Sequence, residues 1–301
     1  MGADDAFSFD RRHAGLAELY AKPMFFVCGV VKSGTTWLQK LLDAHPEVSC
    51  SGEGHFVDRL APFLFKSLDG YDRMMSDNSL RVFGKPSDFT FARDGDRLYL
   101  LASAVLLLLQ AQPGAREAKT VGEKTPDNIR RIELLSRLFP SARFLHIVRD
   151  GRDGAISCWR HNLRLFPEPT RRRFASIDEF AVAYAESWVR EVPVAAGFGE
   201  REPARLHTLR YEDLVADPAT ALRDAFAFLE VDADAALLRK ICAAASFERL
   251  SGGRRRGQED PQSFYRKGEP GEWREALDEP TKQQFWDKAG AWLTRFGYDR
   301  A

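Results

Sequence analysis

The chain has 301 residues, 44% hydrophobic and 29% charged, an ordinary globular composition that excludes a disordered or fibrous protein. Its 44 basic and 44 acidic side chains cancel, which argues against a nucleic-acid-coating surface and leaves room for a local basic pocket. The four cysteines, Cys28, Cys50, Cys158 and Cys242, are widely spaced without a CxxC pair, so reduced thiols are expected in place of a disulfide frame or zinc site.

Taken in chain order, Met1 to Lys22 is polar and charged with no apolar leader, and is expected to be an N-terminal extension. Met24 to Val31 is a continuous apolar run, the pattern of a central strand covered on both faces. Beyond Lys32-Ser33-Gly34-Thr35-Thr36-Trp37, residues Trp37, Leu38, Leu41 and Leu42 recur at helical spacing until the His45-Pro46 break. Residues 52–97 mix Gly, Pro, Asp and aromatics and predict irregular structure. Leu98 to Leu109 is too short to cross a bilayer and predicts a buried helix. A soluble, cytoplasmic protein without an integral membrane segment is therefore expected.

Asp127 is expected to cap a helix running through Leu138 and stopped at Phe139-Pro140. Arg143 to Val148 predicts a second buried strand, leading through Arg149-Asp150-Gly151 into a helix that carries Ile156 and Trp159. Ile177 to Phe198 predicts a long helix, Ala204 to Leu209 a strand, and Asp217-Pro218 the start of a helix toward Glu230. Residues 251–271, with Gly252-Gly253 and three consecutive arginines, predict a loop that covers the site. The alternation gives an α/β fold: one domain over 1–301 with a central, mainly parallel sheet flanked by helices. Ligands in such sheets bind beyond the carboxyl ends of the strands, where both motif loops fall.

Gly29 to Trp37 has the design of an anion cradle. Glycines allow the tight turn, the helix start offers N–H groups, Lys32 brings charge, and Ser33, Thr35 and Thr36 add hydroxyls. A triphosphate-binding loop needs lysine directly after its second glycine, whereas here Gly34 is followed by Thr35. The KSGTTW stretch instead resembles the 5′-phosphosulfate loop of sulfotransferases that use 3′-phosphoadenosine 5′-phosphosulfate, with Val31 in place of their proline.

Further motifs extend that resemblance over roughly residues 24–275. Arg149 and Ser157 stand where the family's 3′-phosphate contacts do, and Arg152 is expected to make a salt bridge or surface contact. Arg266-Lys267-Gly268 through Trp273 is similar to the RKGxxGDW segment, with Glu272 replacing its aspartate, and implies closure over the 3′-phosphate. Tyr211, Ser246, Phe247 and Trp37 match adenine-side positions. The resemblance implies a P-loop NTPase-like sulfotransferase fold and sulfuryl transfer to an acceptor hydroxyl, with release of adenosine 3′,5′-bisphosphate. No metal is expected.

For catalysis, Lys32 is expected at the leaving oxygen, as a compact mobile charge. The stretch HPEVSCSGEGHF resembles the base region of carbohydrate and tyrosine-protein sulfotransferases. It implies Glu53 as general base, with His55 as a supporting group or the competing base. Gly122-Glu123-Lys124-Thr125-Pro126 is similar to the carbohydrate branch's EKTP segment, implying that Lys124 orients the acceptor or sulfuryl group. The acceptor is expected to be a small molecule, sugar or lipid with a free hydroxyl, and no nucleic-acid partner is expected. A kinase with an altered phosphate loop and a non-catalytic nucleotide-binding protein are the competing readings.

Overall fold

The computed structural model describes residues 8–91 and 93–300; the first seven residues of the expected extension, Ala92 and Ala301 lie outside them. Five strands form one sheet: β1 (Met24–Cys28), β2 (Val48–Cys50), β3 (Thr120–Lys124), β4 (Arg143–Val148) and β5 (Leu206–Arg210). Their order is β2-β3-β1-β4-β5 and every pairing is parallel. The register sets Phe26 beside Glu123 and Phe144, and Val27 beside Lys124 and Leu145.

The apolar run beginning at Met24 forms a strand because a parallel sheet buries both faces, and all five β1 residues are buried. Alternation then splits the core. Met24, Phe26, Cys28 and Phe144 face one layer, while Phe25, Val27, Leu145 and Ile147 face the other. The strand is shorter than the apolar run, since Gly29 to Val31 already turn into the loop before α2.

The helices are α1 (Phe9–Ala21), α2 (Thr35–Asp43), α3 (Ala61–Phe83), α4 (Asp94–Gln110), α5 (Ile132–Leu138), α6 (Gly151–Leu165) and α7 (Pro167–Arg173). They continue with α8 (Ile177–Arg201), α9 (Tyr211–Ala216), α10 (Pro218–Phe228), α11 (Ala235–Ala244), α12 (Phe247–Leu250), α13 (Trp273–Ala276) and α14 (Glu279–Arg295). Helix α10 starts as expected, with the Asp217 side chain accepting from Thr220 N at 3.1 Å. Within the extension, α1 is capped by Ser8 and packs on α4.

Three expectations need correction. Residues 52–97 are not irregular: a π-helical turn at Phe56–Leu60 runs into α3, and α4 begins at Asp94. Phe91 N and Arg97 bind Asp72, and Arg97 also pairs with Asp69, so polar bonds clamp this hairpin where apolar periodicity is weak. Leu98 to Leu109 is helical but only half buried, with Leu101, Val105, Leu106 and Leu109 inside and Tyr99, Leu107 and Leu108 exposed. Asp127 caps no helix; it lies in a 3-10 turn (Pro126–Arg131) and pairs with Arg130 at 3.2 Å, and α5 begins later.

Residues 251–271 have little regular structure beyond the cap of α12, but they are tied internally. The Arg254 guanidinium donates to the carbonyls of Gln258 (2.9 Å), Tyr265 (2.6 Å) and Arg266 (2.8 Å). Among the described residues no helix is long and apolar enough to cross a membrane.

Candidate functional site

Parallel strands end together, and the ends of β1, β2, β3 and β4 deliver Lys32, Glu53, Lys124 and Arg149 to one edge of the sheet. Lys32, Glu53 and Arg149 line a cavity of roughly 310 Å3 there, and Lys124 is bonded to two of its wall residues.

The β1–α2 loop has the backbone geometry that the anion-cradle expectation requires. Gly34 has φ 101°, and a Cβ there would lie 2.5 Å from the Tyr211 ring, so only glycine fits. Gly34 is also the N-cap of α2 and supplies no side-chain bond to the helix start, which leaves first-turn N–H groups for a ligand. Lys32 takes φ 73°, a left-handed conformation rare outside glycine. Its ammonium lies 4.6 Å from the Phe264 ring centre. Burial, the largest influence, lowers its pKa to about 8; Arg149 and Arg164 push the same way and Cys158 opposes. Thr35 and Thr36 face the cavity, whereas Ser33 sits behind its wall with a buried hydroxyl that has no hydrogen-bond partner.

Arg149 and Ser157 line the same cavity, one at the end of β4 and the other on α6. The Arg149 guanidinium lies 4.5 Å over the Tyr211 ring and donates Nη1 to Lys32 O at 3.3 Å; its buried Nε has no partner. Arg152 turns away. It makes the expected salt bridge, but in the interior: Nε and Nη2 grip Asp150 at 3.0 and 2.8 Å, and the guanidinium stacks 3.5 Å over Trp273.

The 251–271 loop brings Arg266, Lys267 and Gly268 to the opposite wall. Gly268 has φ 73°, and a Cβ would strike the Phe247 ring at 2.5 Å. Arg266 is already held by Glu259 at 2.7 Å and by Glu272, the residue that replaces the usual aspartate. Trp37, Tyr211 and Phe247 also face the cavity, and Trp37 is fixed by a bond from Nε1 to Ala245 O at 2.9 Å. Ser246 is not among the lining residues: its hydroxyl accepts from Arg249 N at 3.3 Å as the cap of α12.

At the other end Glu53, 38% exposed, forms an ion pair with Lys124, which is 3% exposed. Lys124 Nζ also donates to Thr36 Oγ1 at 3.1 Å, linking this group to the anion loop. His55 lies between carboxylates, with Nε2 3.3 Å from Glu53 and Nδ1 2.8 Å from Asp58. Beneath them is Glu123, fully buried, which accepts from Gly54 N (2.7 Å), from Asn128 Nδ2 (2.9 Å) and from the Thr125 hydroxyl. Burial pushes its carboxyl up, against the pull of those three donors. Thr125 Oγ1 in turn accepts from His55 N at 3.1 Å. Among the described residues no cluster of three or more His, Cys, Asp or Glu side chains is placed to hold a metal.

Sequence reasoning missed several residues here. Arg256, left without a role in the Arg254-Arg255-Arg256 run, lies 4.7 Å over Trp37 and donates to Gly268 O at 2.5 Å. Its signal was in view, but an arginine run is usually a solvated face. Glu123 lies in the EKTP-like segment but was given no role there, and Asp58, His161 and Phe264 were given none either.

A model of the sulfotransferase family matches residues 23–235. Protein-tyrosine sulfotransferase 2 of Gallus gallus is 32% identical over 144 residues, 48% of this chain and 35% of that protein. Protein-tyrosine sulfotransferase 1 of Homo sapiens is 33% identical over 130 residues, 43% of this chain and 32% of that protein. The chain thus spans about a third of the length of these curated relatives. Among solved structures, mouse sulfotransferase SULT7A1 complexed with PAP shares the fold, with TM-score 0.56, 16% identity, and coverage of 94% of this chain and 93% of that one.

Proposed function

The chain belongs to the sulfotransferase family, and on that premise we propose that it transfers a sulfuryl group from 3′-phosphoadenosine 5′-phosphosulfate to an acceptor hydroxyl. The observation that carries the reading is the convergence on one cavity of two anion-holding regions and the Glu53 carboxylate, tied to the first of them through Lys124. The donor supplies the sulfuryl group and a phosphate leaving oxygen.

The residues fit such a donor. The uncapped start of α2 with Lys32 suits its 5′ end, and Arg149, Ser157 and Arg266 to Gly268 suit a 3′-phosphate. The buried Nε of Arg149, without a partner, is an unmet polar group at the second of these regions, and the Ser33 hydroxyl is another in the loop of the first. Trp37 and Phe247 offer π faces for the purine, with Arg256 over both rings. Loop 251–271 then covers the bound nucleotide.

Glu53 takes the proton of the acceptor hydroxyl, with Lys124 holding its carboxylate in place. Lys32 offsets charge that builds on the leaving oxygen, and burial makes each such interaction stronger than in water. A kinase reading is not favoured, because no lysine follows Gly34. The acceptor is a hydroxyl compound: small molecule, sugar or lipid, with the tyrosyl phenol added by the named relatives. Four unpaired cysteines favour a reducing compartment, and we place the protein in the cytoplasm.

The test is transfer of radiolabel from 35S-labelled donor to a panel of phenols, sugars, lipid alcohols and tyrosyl peptides, with release of adenosine 3′,5′-bisphosphate followed in parallel. Label transfer with matched release supports the reading. Failure to bind the bisphosphate at all would refute it.

A further inference from the structure

His161 lies on α6 one turn beyond Ser157 and lines the cavity, yet none of the roles above uses it. Its Nδ1 is 3.3 Å from Nη2 of Arg164. A guanidinium has donors only, so Nδ1 must accept, and the proton of the neutral ring sits on Nε2. Arg164 is itself held, donating Nη1 to Gln262 O at 3.3 Å in the covering loop. Phe264, also in that loop, meets the imidazole edge-on with centroids 6.1 Å apart, and the same ring covers the Lys32 ammonium. These contacts leave Nε2–H for the cavity.

We propose that His161 is a further catalytic residue, a neutral N–H donor to the sulfuryl oxygens beside Lys32 and not a proton-accepting base. This rests on the donor reading above. Burial first, then the charges of Lys32 and Arg164, lowers the imidazole pKa to about 4, so the ring is neutral near pH 7. The ring shares the cavity wall with Lys32 and Glu53, the groups assigned to the two ends of the transfer. Such a donor orients the sulfuryl group for in-line attack without setting another cation against the acceptor. The Arg164 bond fixes the tautomer, much as an outer partner fixes a metal-bound histidine.

The experiment compares wild type, His161→Leu and His161→Gln by calorimetric titration with 3′-phosphoadenosine 5′-phosphosulfate and with adenosine 3′,5′-bisphosphate, which lacks the sulfuryl group. His161→Leu is expected to weaken the sulfated nucleotide about ten-fold and leave the bisphosphate within about two-fold. Turnover should fall about a hundred-fold. His161→Gln, whose amide N–H replaces the lost donor, should recover most of both. An unchanged affinity ratio in His161→Leu overturns the proposal while leaving the donor reading intact. Equal loss of both nucleotides overturns it too, since that marks a structural role. Wild type binding neither nucleotide overturns the donor reading and this proposal together.

Discussion

The ammonium of Lys124 and the carboxylate of Glu53 form an ion pair that joins the end of β3 to the loop after β2, with the lysine buried and the glutamate open to the cavity. Glu53 is therefore aimed from below. Glu53→Gln should lower turnover by about 10²- to 10⁴-fold with nucleotide binding retained. Lys124→Met should cost about a hundred-fold by letting the base drift. Single-turnover assays beside bisphosphate titrations separate the two effects; if His55→Ala abolishes turnover and Glu53→Gln does not, the base is His55.

Arg149 and Arg266 to Gly268 predict a strong demand for the 3′-phosphate. Charge-assisted hydrogen bonds contribute roughly 1.5–3 kcal/mol each, so 5′-AMP should bind at least about a hundred-fold more weakly than the bisphosphate. Arg149→Met should erase most of that difference. Calorimetry measures it directly, and equal affinities would remove the 3′-phosphate assignment.

Lys32 sets an alkaline limit. Its amine titrates near 8 because it is buried, so it is charged below that value and loses its proton above it. A nucleotide anion prefers the charged form. Affinity should be flat between about pH 6.5 and 7.5, above the second ionisation of the nucleotide's own phosphates, and fall as pH rises through about 8, by at most about ten-fold per unit. In Lys32→Arg the fall should vanish, because a guanidinium stays charged. Bisphosphate titrations across that range provide the check.

Arg152 predicts a stability effect separate from binding. Its guanidinium is buried, paired with Asp150, bonded to the carbonyls of Asp299 and Arg300, and stacked on Trp273. Arg152→Met strands the Asp150 carboxylate and should cost about 3–5 kcal/mol in urea unfolding. Surface pairs such as Arg201–Glu133 should move the same curve by less than about 1 kcal/mol.

The parallel sheet and its main loops were legible because their signals are local. The apolar run at Met24, KSGTTW, the Arg149–Ser157 spacing and Arg266-Lys267-Gly268 each lie within a few residues; the first forms β1 and the other three contribute residues to one cavity. The α3–α4 hairpin was not legible, because only Ala61 of α3 is buried and the hairpin is clamped by Arg97 to Asp69 and Asp72, polar contacts with no helical period. Ser246 and Asp127 show the converse, since a side chain that caps or pairs locally is absent from the role its motif suggests. Arg256, His161 and Glu123 each have one partner more than sixty residues away, respectively Trp37, Phe264 and Gly54, which no short pattern encodes.

The hydrogen bonds from Gly54 N and His55 N to Glu123 and Thr125 anchor the Glu53-bearing loop through its backbone. Its backbone docks on acceptors supplied by β3 and the residue that follows it, so the side chains that meet an acceptor can change without disturbing the nucleotide half. A redesigned segment between β2 and α3 needs to keep Glu53 and these docking amides. Within that limit, one donor-binding frame can be grafted onto different acceptor chemistries.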